Sequence, residues 1–344
     1  MLGGGVFVTQ DKTLPGSYIN FVNTERASAT LGERGIVAIA LPLGKEEGKV
    51  FELTRADFIT NSTNLIGKAY DAPEVAALRE IFKHSNRVYI YDMGATKTAQ
   101  NACDALEPYE FNVLCAYTAE TASITTYKEN LKTWRNEMGK KCQLVVYNDP
   151  ANDEGVINVV STVEDEGANT YVLTAWVAGA EAGCKVNESC TNMLYDGEYT
   201  VKCDKTQAQL EECLDDGQFV FHLVYGEVRV LEDINSLTEL TTDKGEDFRY
   251  NQTIRVIDQI ANDIAKLFNT KYLGKIPNNN AGRVSLWADI VAHHRKLEAI
   301  QAIEDFDANL VTVEQGDNKK TVIVNDAVKV VNAMAILYMT VVVQ

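Results

Sequence analysis

The stretch Gly35-Ile36-Val37-Ala38-Ile39-Ala40-Leu41 decides the fold. It is a continuous apolar run of strand length, and Gly32 and Pro42 bracket it. A run without polar alternation is typical of a strand that is buried on both faces, as in sheets with helices packed on each side. We therefore expect the core of the chain to begin at this strand.

Strands and helices alternate downstream of that run. The pattern predicts strands at 88–91, 112–117 and 143–147 and helices at 96–105 and 123–138. Such an order implies βαβ units and a largely parallel sheet. The glycine pattern of a nucleotide site does not accompany it, because Gly94 to Thr98 lacks paired glycines and Gly3 to Gly5 precedes no strand–helix turn. The sequence thus predicts α/β order without nucleotide chemistry.

The C-terminal half mixes hairpins with two long helices. Strands at 219–224 and 228–231 flank Gly226, and strands at 310–314 and 321–325 flank a second turn. A helix from 254 has an apolar stripe at Ile257, Ile260 and Ile264, and a second helix is expected at 285–303 with Ser285 as its N-cap. Residues 335–343 predict a last apolar strand, which would recruit another chain if it stayed unpaired.

Charge and length exclude several classes of protein. The 344 residues hold 32 Lys and Arg against 49 Asp and Glu, a formal net charge of −17. A surface this acidic repels phosphate backbones, so nucleic acid is not an expected partner. The length corresponds to about two domains. We expect a soluble protein without membrane insertion, because neither a signal peptide at Met1 to Gly5 nor an apolar window of about 18 residues is present.

No catalytic, metal or cofactor site is predicted. The seven cysteines follow no CxxC pattern, and we expect free thiols in a reducing compartment; Cys184 and Cys190 could meet on a loop, and whether they pair is left open. His293 and His294 point about 100° apart on a helix, so we expect them not to share one metal ion but to belong to a solvated or partner-facing basic stretch. No nucleophile–base pair is evident, and we expect the protein not to be an enzyme.

A family resemblance runs through nearly the whole chain. The segments that carry it are apolar and turn patterns in a fixed order: Leu14 to Phe21, Leu31 to Ala38, Ala175 to Gly183, Asn187 to Thr191, Glu232 to Thr238, Phe248-Arg249, Arg255 to Asp258 and Tyr272 to Lys275. Together they resemble contractile phage tail sheath proteins, and the chain is similar to the short sheaths of Gram-positive phage-like tails and of R-type bacteriocins such as diffocins.

The resemblance implies a two-domain α+β or α/β tail-sheath fold with terminal β-strand arms. The implied parts are an N-terminal arm at 1–23, an outer α/β domain at 24–228, an inner tube-facing domain at 229–334 and a C-terminal strand arm at 335–344. Strands exchanged between subunits would hold the sheath together through Tyr18, Ile19, Phe21, Leu337, Tyr338, Met339, Val341, Val342 and Val343. The helix at 285–303 would contact the tube through His293, His294, Arg295 and Lys296.

The implied function is structural. Many copies would polymerise helically around an inner tail tube and contract to drive that tube through a target cell envelope. The implied partners are further copies of the chain, the tube protein, and baseplate and tail terminator or collar proteins. Assembly would take place in the bacterial cytoplasm, before release as part of a phage tail or phage-tail-like particle.

An alternative from another class is a cytoplasmic α/β enzyme. Its small-molecule site would lie in the 84–175 βαβ region, where the strand order of a parallel sheet reverses.

Overall fold

The computed structural model describes residues 31–343, and within them a seven-stranded sheet forms the centre of the fold. Its strand order is β2-β3-β1-β4-β5-β6-β7, with β2 antiparallel to β3 at one edge and all other pairs parallel. The strands are β1 (Ile36–Leu41), β2 (Val50–Thr54), β3 (Arg87–Asp92), β4 (Val113–Cys115), β5 (Gln143–Tyr147), β6 (Val156–Val159) and β7 (Gln218–Phe219). The predicted α/β class is confirmed.

Strand β1 is covered on both faces, as its composition predicts. Val37, Ile39 and Leu41 belong to the apolar cluster on one face, whereas Ala38 and Ala40 belong to the cluster on the other. Side chains alternate across a strand, so each face of β1 needs its own helical layer. The predicted strands at 88–91, 112–117 and 143–147 all pair into this sheet.

Two helical layers cover the sheet. The helices of residues 31–230 are α1 (Arg55–Ile66), α2 (Ala76–Ile81), α3 (Ala99–Leu106), α4 (Thr121–Asn136), α5 (Leu173–Gly183) and α6 (Gln207–Asp215). The apolar residues of α3 and α4 pack on the face of Ala38 and Ala40, and those of α2 and α5 pack on the face of Val37 and Ile39. Small residues in β1 therefore face one layer and large ones the other.

The predicted hairpins are present. One consists of β8 (Phe221–Val224) and β9 (Glu227–Val230), and the other of β11 (Thr312–Gln315) and β12 (Val322–Asn325). The remaining elements are α7 (Asn251–Leu267), a π-turn (Phe268–Tyr272), α8 (Asn280–Ala299), β10 (Ile303–Glu304), β13 (Lys329–Val330) and 3₁₀ turns at Pro73–Val75, Glu246–Arg249 and Ala308–Leu310. A third apolar cluster lies among α7, α8 and the strands after them.

Two details of the predicted helices are wrong. Helix α8 begins at Asn280 because the Asn279 side chain accepts the backbone N–H of Gly282 at 2.8 Å, whereas the expected cap, Ser285, lies inside the helix and its hydroxyl contacts Tyr272. The isoleucine stripe of α7 is only half-buried, and the most deeply buried side of that helix is polar, with Arg255 and Asp258 on it.

The predicted strand at 335–343 is absent from the isolated chain. Within the described residues no backbone or side-chain hydrogen bond is formed after Ala333, because no neighbouring strand lies beside this segment. No helix among residues 31–343 is both long enough and apolar enough to cross a membrane.

Helix α5 closely approaches α2 at Gly179 and the turn that follows α2 at Gly183. A Cβ atom on Gly179 would lie 2.9 Å from Ile81 Cα and closer still to the Ile81 carbonyl oxygen, and one on Gly183 would meet the His84 carbonyl. These obstacles are backbone atoms, so they cannot move aside as a flexible side chain can. The small residues of Ala175 to Gly183 therefore set the distance between the two helices.

We expect Gly179→Ala to lower the free energy of unfolding by about 1–3 kcal/mol, because the added methyl group overpacks this contact. Urea denaturation of the purified chain measures the loss. Gly245→Ala is the matched control, since a Cβ atom there meets nothing within 4 Å. Equal stability of the two variants would contradict the close-packing explanation.

Candidate functional site

A buried charge cluster joins α5, α7 and the segment after β9. The guanidinium of Arg255 on α7 donates to Glu181 of α5 at 2.6 Å, to Asp233 at 3.2 Å and to the Glu188 carbonyl at 2.7 Å. The side chains of Arg255 and Glu181 are fully buried, and that of Asp233 nearly so. One cation therefore holds three separate parts of the chain.

The two acids of this cluster titrate in opposite directions. Burial, followed by the nearby charge of Asp233, raises the pKa of Glu181 well above its ordinary value. Burial alone would also raise the pKa of Asp233, but Arg255 and hydrogen bonds from Glu181 and the Cys190 N–H lower it. The two carboxyl groups lie close together and their pKa values move apart, so we assign the proton to Glu181 and the negative charge to Asp233.

Arg34 adds a second cation at the end of α5. It donates to the carbonyls of Glu181 at 3.0 Å and Cys184 at 3.1 Å, which are among the last carbonyls of that helix. Burial lowers the pKa of Arg34 to about 10. Arg34 thus anchors the chain that enters β1 to the same junction.

Cys184 and Cys190 lie next to the cluster. All seven cysteines of the chain are free thiols, and these two hydrogen-bond with each other. That hydrogen bond, together with Arg255, lowers the pKa of Cys184, whereas the same contact and burial raise that of Cys190. The two cysteines thus meet, as the sequence allows, but without forming a disulfide.

Ligand atoms of Glu181, Cys190 and Asp233 lie within 4.8 Å of one another. Such a donor set would suit a cation, but the guanidinium of Arg255 already supplies the positive charge between the two acids. A metal ion would have to sit beside it at the cost of strong repulsion. The cluster is therefore a structural junction.

A second buried ion pair joins α4 to α7. Arg135 binds Asp258 through two hydrogen bonds of 2.6 and 3.0 Å and also donates to the Cys142 carbonyl. Burial alone would lower the pKa of Arg135, but the Asp258 charge outweighs it and raises that pKa. Arg255 and Asp258 lie in a segment that carries the family pattern, but their role as buried ion-pair partners has no local signal, since Glu181 and Arg135 are 74 and 123 residues away.

The basic stretch of α8 is divided between the interior and the surface. The imidazoles of His293 and His294 are fully buried and contact Asp263 and Asp326, so the expectation that they are solvated is wrong. Arg295 is exposed, pairs with Glu298 at 2.6 Å and stacks on Phe306. Burial follows because a helix on the surface still turns one face inward, and the histidines occupy that face.

The C-terminal segment is the largest exposed apolar feature of the described chain. Its root, residues 331–333, is attached to α7: Gln252 hydrogen-bonds to the backbone at Val331 and Ala333, and Thr253 hydrogen-bonds to the Asn332 side chain. Beyond the root, the side chains are 70–101% exposed at Met334, Ile336, Leu337, Tyr338, Met339, Val341, Val342 and Val343. The other expected exchange residues, Tyr18, Ile19 and Phe21, lie outside the described residues.

A cavity of about 320 Å³ lies where the alternative enzyme would place its ligand. It opens at the carboxyl ends of β1, β3 and β4, where the strand order reverses. Its lining includes Leu41, Met93, Tyr117, Ser123 and Tyr127. The carboxylates of Glu74 and Glu120 also line it, whereas no imidazole, thiol or amine of the described residues does.

An α/β body with ionic internal junctions and an unpaired apolar terminal segment defines an assembly subunit. Comparison with known proteins gives the family. Residues 94–236 match the phage tail sheath protein central domain, and residues 243–344 match the phage tail sheath C-terminal domain. The chain belongs to the phage tail sheath family.

Two relatives illustrate the match. The tail sheath protein of Clostridium phage phiCD119 is 31% identical over 289 residues, which cover 81% of this chain and 78% of that protein. Uncharacterized protein YqbK of Bacillus subtilis is 31% identical over 266 residues, or 72% of this chain. The chain spans only 57% of the length of YqbK.

Solved structures agree with this assignment. The sheath tail protein of Desulfitobacterium hafniense is 27% identical with a TM-score of 0.76, covering 87% of this chain and 93% of that one. The helical sheath of the anti-feeding prophage in its contracted state has a TM-score of 0.71 at 16% identity, covering 96% of this chain and 99% of that one, which is a likeness of fold alone.

The charge assignment within the Arg255 cluster predicts different outcomes for two isosteric variants. Glu181→Gln replaces a neutral acid with a neutral amide, so we expect it to equal or exceed wild-type stability at pH 7. A raised pKa means that Glu181 stabilises the fold below its ordinary pKa of 4.5, and that this contribution is lost as the pH rises through the folded-state value.

Asp233→Asn should instead lower the free energy of unfolding at pH 7 by about 3 kcal/mol or more, because it leaves Arg255 without its charged partner. The lowered pKa of Asp233 implies stability that is present above its ordinary pKa and lost as the pH falls through the folded-state value. Urea denaturation at pH 7 compares the two variants. A larger loss for Glu181→Gln would reverse the assignment.

Proposed function

We propose that the chain polymerises into a helical sheath around an inner tail tube, and that contraction of this sheath drives the tube through a target cell envelope without any catalytic step. Family membership supports the proposal, and a contracted helical sheath is among the structures that share the fold. The observation that carries it is the exposed apolar segment after Ala333.

The physical properties of that segment suit strand addition to a neighbouring copy. A strand of residues 335–343 would be about 30 Å long at roughly 3.3 Å per residue. Each backbone hydrogen bond that it forms with a neighbouring sheet contributes about 1 kcal/mol net, and burial of its apolar side chains adds to this. The bonds at Val331 and Ala333 fix the root, so the segment can act as a tether between subunits.

The proposed division of the chain follows the apolar clusters. Two clusters on either side of the sheet use residues between 37 and 230, and the third uses residues between 186 and 311. These clusters support an outer domain at 24–228 and an inner, tube-facing domain at 229–334. The arms at 1–23 and 335–344 would exchange strands with neighbouring copies.

Arg295 and Lys296 are the proposed tube contact. Arg295 is exposed on a chain with a net charge of −17, and both side chains follow the buried histidine pair on α8. Exposed charges form weak contacts that salt screens. Such contacts can break when a sheath expands away from its tube. The remaining proposed partners are baseplate and tail terminator or collar proteins, with assembly in the bacterial cytoplasm before release of the particle.

Deleting residues 335–344 should abolish sheath formation and leave the fold intact, because residues 335–343 form no hydrogen bond within the described chain. Negative-stain electron microscopy shows tubes or their absence, and circular dichroism with thermal unfolding checks the fold. A matched control deletes only Gln344. Tubes formed by the longer deletion would overturn the tether.

Substituting Tyr338→Pro tests the same tether without shortening the chain. Proline removes one backbone donor and fits poorly inside a sheet. We expect fewer or shorter tubes. Tyr338→Thr is the control, since it retains the donor and suits a strand.

Arg295→Glu combined with Lys296→Glu should give sheaths that lack a tube, or no extended particles, on co-expression with the tube protein. Lys319→Glu with Lys320→Glu, on the exposed turn between β11 and β12, is the charge-matched control. Electron microscopy of the particles distinguishes the outcomes. Particles like the wild type from the α8 variant would remove this helix from the tube interface.

A further inference from the structure

His293 and His294 form the centre of a chain of four polar groups, in which the two imidazoles and Asp263 are buried and Asp326 lies at the surface. His293 Nε2 lies 2.9 Å from Asp263 Oδ2, the two Nδ1 atoms lie 3.2 Å apart, and His294 Nε2 lies 2.6 Å from Asp326 Oδ2. Both imidazoles are fully buried. The chain of contacts is therefore Asp263–His293–His294–Asp326.

The number of protons in this chain follows from its three contacts. Each contact joins two atoms that are both acceptors unless one of them carries a hydrogen. Three contacts therefore require three protons. Two neutral imidazoles supply only two, one each, so the chain holds one proton more than two neutral histidines beside two carboxylates.

We infer that Asp263, His293, His294 and Asp326 form a binding site for one extra proton. Through α8 this proton links Gly32, near the start of the described chain, to Val331, at the root of the C-terminal segment. The simplest distribution places hydrogens on both Nε2 atoms and one hydrogen between the two Nδ1 atoms. The pair is then one imidazolium and one imidazole between two carboxylates. A second extra proton would bring two N–H groups face to face.

The chain connects parts of the molecule that lie far apart in sequence. The Asp263 carboxylate accepts the backbone N–H of Gly32 at 3.0 and 3.1 Å, so α7 holds the point where residues 1–30 join the described chain. Asp326 lies between β12 and β13, and β13 leads directly to the root at Val331. Loss of the shared proton would loosen both connections at once.

No other charged side chain of the described residues hydrogen-bonds to the two imidazoles. On α7, Gln259 donates to Asp263 at 2.9 Å and fixes its carboxylate. Phe306 packs edge-on against His294. On α8 itself Arg295 is directed to Glu298, and Lys296 is half-buried. The charge of the extra proton is thus balanced by the two aspartates.

This proton count has a consequence for stability. In an unfolded chain each imidazole takes up its extra proton near pH 6.5. Counted relative to two neutral imidazoles, the unfolded pair therefore holds two extra protons well below that pH and none well above it. On the proposed count, a folded pair that keeps all three contacts holds one extra proton in both ranges. We therefore expect stability to be greatest near pH 6.5 and to fall on both sides, with a limiting slope of about tenfold in the folding equilibrium constant per pH unit.

Histidine nitrogen NMR tests the count directly. His84→Gln with His222→Gln removes the only other histidines, so the two buried rings of an otherwise complete chain give all remaining imidazole signals. Nitrogen-15 labelling at pH 7 should show three N–H hydrogens over the two rings. Two hydrogens, with both Nδ1 atoms unprotonated, would overturn the inference.

A pH series of urea denaturation tests the linkage. The free energy of unfolding is measured for the His84→Gln/His222→Gln background and for the same background with His293→Gln and His294→Gln added. The difference between the two should be largest near pH 6.5. Glutamine can still donate to each aspartate but does not titrate. A flat difference between the two would overturn the proposal, and so would a stoichiometric rise in the melting temperature with Zn²⁺, which would show a metal ion in place of the proton. If the glutamine pair fails to fold, the NMR count alone decides.

Discussion

The buried guanidinium of Arg255 is the constraint on which the rest of the structure depends. It donates hydrogen bonds to Glu181 of α5, to the carbonyl of Glu188 in the turn after α5, and to Asp233 in the segment that follows β9. With Arg135–Asp258 it attaches α7 to the sheet layer by charge. Apolar contacts would tolerate small rotations of α7, but a rotation by one residue, about 100°, would bury Arg255 and Asp258 without partners, at a cost of several kcal/mol. The ion pairs therefore select one orientation of this helix.

The features that the sequence predicted correctly are local ones. Strand β1 and the two hairpins follow from apolar runs and turn residues within a few positions of each other, and the structure contains all of them. The N-cap predicted for α8 was wrong because Asn279 and Ser285 are both good capping residues; Asn279 caps the helix, whereas the Ser285 hydroxyl contacts Tyr272. Local signals identify an element more reliably than its ends.

The features that the sequence could not predict depend on distant partners. The burial of His293 requires Asp263, 30 residues earlier, and that of His294 requires Asp326, 32 residues later. On α7 the isoleucine stripe suggested which side faces inward, yet the polar side is the more deeply buried one. A prediction from hydrophobic periodicity places every charged side chain in water. It fails where a side chain of opposite charge across the interface allows a charged group to be buried.

The terminal segment and the net charge together explain why assembly would use backbone contacts. Copies that each carry −17 repel one another at distances within a Debye length of roughly 8 Å, so side-chain ion pairs between identical acidic surfaces are hard to arrange. Strand addition avoids this problem, because its hydrogen bonds join peptide groups that carry no net charge. The exposed residues from Met334 to Val343 include no charged side chain, and this segment can approach a like-charged neighbour without an electrostatic penalty of its own. The same neutrality would allow the tether to persist while charged contacts elsewhere on the subunit break and form again.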